Sequence, residues 1–217
     1  MTQVRSGGTV VGRLRRSRKQ SQSSWAQQRA SWAEQNGVDL SAATQGPLPV
    51  MLREDFRTHY RSWVHPGLHA LVVHRIGHWG RFQPDPLRQV VKVVHRLLNR
   101  LLIQNVYGAE IDDDAVIGRN VLLGHQQGVQ IPSYSVVGDG CLIRHNVTLG
   151  LADPESMTKV PTVGRRVQLG TGATLLGAIR IGDDAKIGPH ALVMKDVPAG
   201  AVAFSQNARI MQIDKEK

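Results

Sequence analysis

Two histidines occupy equivalent places in a short repeat. His125 lies two residues beyond Leu123, and His145 lies two beyond Ile143. An imidazole titrates near neutral pH, so it can take a proton from an alcohol as that oxygen attacks an acyl carbon. A pair of such rings on one edge of a fold is a candidate site for hydroxyl acylation. Whether they share an edge depends on the elements that carry them.

Those elements follow a period of six. Ile111, Ile117, Leu123, Ile131, Val137, Ile143, Leu149, Val163, Leu169, Leu175, Ile181, Ile187 and Val193 recur in register, with longer steps only after Leu123 and after Leu149. A small or aliphatic residue follows four places on, as at Ala115, Val121, Ser135, Cys141, Val147, Val167, Ala173, Ala185 and Ala191. A fixed short period is the mark of a solenoid, whose units bury their faces only against one another. Hexads suit a parallel β-helix with three flat faces per turn, one aliphatic per face pointing inward. Glycine commonly follows the aliphatic and is expected to turn the corner. Three hexads per turn place Ile143 over Leu123, so His125 and His145 should stack one coil apart, at about 4.8 Å. The longer step after Leu123 predicts a bulge just beyond His125, a device that often re-aims functional side chains.

The pattern resembles the hexapeptide-repeat acyltransferases, whose fold is a left-handed parallel β-helix. Within them it is most similar to the serine O-acetyltransferases. The resemblance is carried by His65-Pro-Gly-Leu-His-Ala-Leu-Val-Val-His-Arg-Ile-Gly-His-Trp79 and then by Gly124-His-Gln-Gln-Gly128, Asn146-Val-Thr-Leu-Gly150 and Asp184-Ala-Lys-Ile-Gly188. It covers roughly residues 60 to 210.

The resemblance implies an acetyl-CoA-dependent O-acetyltransferase with His125 as general base. The family orients this histidine through an aspartate fifteen residues earlier; the matching position here is Glu110, which keeps the acid and adds a methylene. The acyl donor is expected to lie along Gly150, Gly170, Thr171, Gly172, Ala185, Lys186 and Arg209, with backbone amides for the pantetheine arm and cations for phosphate. Acceptor contacts are expected from His145, Lys159 and Gly124, and His145 stays open between acceptor binding, packing and service as the base. The family also implies a homotrimer with active sites between prisms, or a dimer of trimers through the helical region.

Some positions depart from the family. Lys159 and Val160 stand where an arginine and a histidine would hold and help activate the serine, and Gly124 replaces an aspartate that holds its amino group. Lysine is a point charge rather than a planar fork. The excursion from Leu151 to Pro161 starts Leu-Ala-Asp-Pro instead of with glycines, and the chain's last residues lack the isoleucine end that docks relatives to a sulfhydrylase. The acceptor is therefore left open between serine or a serine-like compound and a sugar hydroxyl, and a non-catalytic scaffold is the remaining alternative. Zinc hydration chemistry on the same prism uses two histidines five apart within one coil, a spacing these coils lack, so no metal is expected.

Composition bounds the rest. Net charge is +10, and six of the excess cations (Arg5, Arg13, Arg15, Arg16, Arg18, Lys19) fall in an acid-free arm without interleaved aromatics, which argues against nucleic-acid recognition as the main function. One cysteine, Cys141, sits at an inward position and reads as packing. No intrachain disulfide, apolar span or export signal is expected, which fits a cytoplasmic protein. The predicted organisation is a basic arm over 1–45, a helical region over 46–108, the β-helix over 109–200 and a tail over 201–217. In the helical region Leu68, Leu71, Val72, Arg75, Ile76 and Trp79 form one predicted face. Val90, Val91, Val94, Leu97, Leu98, Leu101 and Leu102 form an apolar stripe with Arg and Lys opposite.

Overall fold

A computed structural model describes residues 46–153 and 159–206. The basic arm, the middle of the excursion, Arg209 and the chain's last eleven residues (207–217) lie outside the described residues.

The prism forms as the period requires. Fourteen short strands stack in three parallel sheets among the described residues. One sheet holds β1 (Glu110–Ile111), β4 (Gln130–Ile131), β7 (Thr148–Gly150), β10 (Thr174–Leu176) and β13 (Leu192–Val193). The second holds β2 (Val116–Ile117), β5 (Val136–Val137), β8 (Thr162–Val163) and β11 (Arg180–Ile181). The third holds β3 (Leu122–Leu123), β6 (Leu142–Ile143), β9 (Gln168–Leu169), β12 (Lys186–Ile187) and β14 (Val202–Ala203), so the ladder runs past residue 200. Register is as expected: Leu123 pairs with Ile143, and Ile143 with Leu169. All thirteen in-register aliphatics are buried, as are the nine smaller residues four places on. Each coil thus closes an apolar layer that no coil could bury alone.

The corners are made differently from the sequence expectation. Glycines directly after the inward aliphatic sit where coils come closest: a Cβ on Gly138 would stand 2.5 Å from the carbonyl oxygen of Gly164. The left-handed backbone comes two residues later, at Asn120 (φ 54°), Asn146 (φ 57°), Gly172 (φ 69°) and His190 (φ 55°). Asparagine and glycine adopt that region at low cost.

Among the described residues, three helices precede the prism: α1 (Leu48–Thr58), α2 (Pro66–Gly80) and α3 (Leu87–Leu98), the last continuing as a π-helical turn over Asn99–Gln104. Pro66 opens α2, where its missing N–H leaves no bond unmade. The helix is buried more widely than its predicted face. Leu68 and Leu71 are buried as expected, Val72, Ile76 and Trp79 are half-buried, and His74, Arg75 and His78 are buried. Arg75 explains this. Its guanidinium bonds both carboxylate oxygens of Asp55 in α1 (3.0 and 3.3 Å) and the carbonyls of Ile117 and Gly118 in the prism. One cation therefore joins α1, α2 and the first coil. The apolar stripe of α3 is largely exposed, and His95 is the residue of that helix that is buried. No described helix is long and apolar enough to cross a membrane.

Candidate active site

His125 and His145 come together at one corner of the prism. Pairing of β3 with β6 sets one directly above the other, and their ring centres are 5.8 Å apart at 72°, an edge-to-face contact. Beyond His125 the chain makes the anticipated detour: Gly128 takes a left-handed conformation, and its N–H donates to the carbonyl of Gly108 at 2.8 Å. His125 is exposed and His145 half-buried.

The next coil of the same corner carries Gly170, Thr171 and Gly172. The Gly172 N–H donates to the carbonyl of His145 at 3.0 Å, so these residues continue the column started by the two histidines. Lys186, on β12 of the same sheet, is exposed. Gly150 ends β7 on the adjoining sheet, where its carbonyl accepts from Gly177 at 2.9 Å. The Ala185 methyl is inside the prism, as its place in the repeat requires, and its carbonyl accepts a ladder bond from Gln168 at 3.0 Å, so its side chain makes no contact with a ligand outside.

Glu110 lies at the start of β1, paired with Gln130 of the strand that follows the His125 detour. Its side chain is exposed and forms no hydrogen bond to His125 among the described residues. The orienting pair is thus not engaged in the single chain. Lys159 is exposed beside the excursion, whereas Val160 is buried in the prism and presents no group to a substrate. Gly124 has open space around it: a Cβ would meet nothing nearer than the Leu142 side chain at 3.7 Å and the Ile143 carbonyl at 3.8 Å. Cys141 is buried with its thiol donating to the Gly164 carbonyl at 3.1 Å, and burial pushes that thiol up to about 12. It packs.

The helical region contributes more to this corner than its sequence suggested. His59 bridges α1 to the prism. Its Nδ1–H donates to the Asp55 carbonyl at 2.7 Å, and its Nε2 accepts the backbone N–H of Leu123 at 3.2 Å. Those two partners fix a neutral tautomer, and burial correspondingly lowers the ring's pKa. His65 sits at the N-cap of α2 with its ring 5.1 Å from that of His59. His69, one turn on, donates from Nε2 to the Trp63 carbonyl at 2.6 Å and accepts from the Tyr107 hydroxyl at 2.7 Å. No periodic signal links these residues to His125, because the link is a tertiary contact spanning 64 positions.

The three-sided prism, its histidine corner and the helices ahead of it define the class: a left-handed parallel β-helix acyltransferase. No family model matches the chain. It is 36% identical over 152 residues to the serine acetyltransferase of Helicobacter pylori, covering 70% of this chain and 85% of that one. With the serine acetyltransferase of Synechococcus elongatus it shares 35% over 158 residues, which is 69% of this chain and 62% of the relative. The serine acetyltransferase of Brucella abortus, solved in complex with coenzyme A, superposes with a TM-score of 0.63 at 28% identity, covering 75% and 67% of the two chains. The chain belongs to the serine acetyltransferase family.

Proposed function

We propose that this protein transfers the acetyl group of acetyl-CoA to the hydroxyl of L-serine or a serine-like acceptor. The observation that supports it best is the column at one prism corner, His125 beneath His145 beneath Gly170–Gly172, in a chain whose relatives act on serine and include one solved with coenzyme A. His125 takes the acceptor's hydroxyl proton as the oxygen attacks the thioester carbonyl. The tetrahedral intermediate then expels the CoA thiolate as its C–S bond breaks, and the imidazolium returns the proton to sulfur. The ester product and free CoA thiol leave without a covalent enzyme intermediate. In this reading Glu110 orients the ring, Gly150 and Gly170–Gly172 hold the pantetheine arm, and Lys186 and Arg209 meet phosphate. Lys159 and His145 contact the acceptor.

The exposure of His125 supports a homotrimer, since a second prism laid against this corner would exclude water from the base. A dimer of trimers through the helices extends the same assembly. One buried cysteine suits the reducing cytoplasm.

A second reading, a sugar hydroxyl as acceptor, is favoured by Val160 and Gly124. The first is buried and the second has no side chain, so the family's assisting histidine and the aspartate that holds the amino group are both missing here, while Lys159 keeps a positive charge for a carboxylate. Release of CoA thiol from acetyl-CoA with L-serine beside a panel of sugars decides between them. Turnover with serine supports the first reading, and turnover with a sugar but not serine supports the second.

A further inference from the structure

The prism supplies little to grip an acceptor beside His125, while the helical region brings an unassigned imidazole to that place. Three contacts put it there. The first turn of α2 lies so close to β3 that a Cβ on Gly67 would stand 2.2 Å from the Leu123 carbonyl oxygen. His59 is hydrogen-bonded to the Leu123 amide on one side and in ring contact with His65 on the other. Leu123 is two residues before His125. The segment leading to His65 is also held in an unusual shape: Tyr60 (φ 59°) and Arg61 (φ 57°) are both left-handed, a conformation that is strained for non-glycine residues and tends to collect at functional sites.

His65 itself is half-buried. Its Nδ1 is sealed from solvent without a hydrogen-bond partner, which leaves Nε2 as the nitrogen able to reach a ligand. Burial lowers its pKa, and the neighbouring His125 and His69 lower it further, so the ring is neutral at pH 7. A neutral imidazole can give or accept one hydrogen bond at Nε2, which suits a hydroxyl and not a fixed charge.

We infer that His65 is an acceptor-binding residue, whose Nε2 hydrogen-bonds a hydroxyl of the acceptor held between the start of α2 and His125. It takes over part of the work that Gly124 and Val160 cannot do, and it adds to the site a preference for hydroxyl-rich acceptors. This rests on the acetyl-transfer reading above.

The test compares His65→Phe, which keeps a ring against His59 and Tyr60 but has no nitrogen, with His65→Gln, which keeps a hydrogen-bonding group. Steady-state CoA-thiol release is measured with acetyl-CoA and the best acceptor among L-serine and the sugar panel, and melting temperatures confirm that both variants fold. The expected result for His65→Phe is an acceptor KM raised about tenfold with the acetyl-CoA KM within about twofold of wild type, and recovery of most of that loss in His65→Gln. An unchanged acceptor KM in His65→Phe, or a parallel rise in both KM values, overturns the role of His65 while acetyl transfer stands. Silence of the wild type with every acceptor overturns acetyl transfer and the role of His65 with it.

Discussion

The ring of His145 stands edge-on to that of His125, 5.8 Å away, because the strands that carry them pair Leu123 with Ile143. The buried aliphatics two residues earlier set the backbone position of both.

Gly124 offers a gain-of-function test. Its Cβ position is open and its backbone is not left-handed, so Gly124→Asp should fold without strain. A carboxylate beside His125 would give an amino-acid acceptor a charged partner, worth about 1.5–3 kcal/mol. We expect the KM for L-serine to fall about tenfold while that for sugars does not improve. Acceptor kinetics on the variant check this.

Breaking the Arg75–Asp55 pair should destabilise the protein strongly. Both side chains are almost wholly buried, at 3% and 1% exposure, so Asp55→Ala leaves an unpaired interior cation. The expected cost is about 3–5 kcal/mol, measured by urea unfolding. Replacing both together, as Asp55→Leu with Arg75→Met, should recover a good part of it, although the Ile117 and Gly118 carbonyls then lose their donor.

Stability should fall in mild acid. Burial lowers the pKa of His59, His74 and His95, with His74 held furthest below the ordinary range. Unfolding frees these rings to bind protons as the pH drops through about 6.5. Their contribution is therefore full above that value and is lost as the pH falls toward their folded values. Urea midpoints between pH 8 and 5 should decline on the acid side, and replacing His74 by an apolar residue that packs in its place should flatten the decline.

Much of this was legible from spacing. A six-residue period exposes every inward position at once, and the same arithmetic stacked His125 on His145. What spacing could not reach were contacts between the helices and the prism. The His59 bond to Leu123, the Arg75 bonds to the first coil and the approach of His65 all join segments with no shared period. The corner itself lies two residues beyond the place spacing suggests, because glycines that avoid a neighbouring coil and glycines that turn the chain look alike in sequence.

Cys141 should resist modification. With its thiol at about 12, almost no thiolate exists at pH 8, and reaction with a disulfide reagent should wait on unfolding. Labelling in and out of denaturant checks this.

The most direct test of the account is the rate of CoA-thiol release by His125→Ala against the wild type, at saturating acetyl-CoA and the best acceptor. Loss of a general base predicts a fall of about 10²–10⁴ in kcat with coenzyme A binding retained. A variant that turns over within a few-fold of the wild type would contradict the assignment of the His125 corner as the site of acetyl transfer.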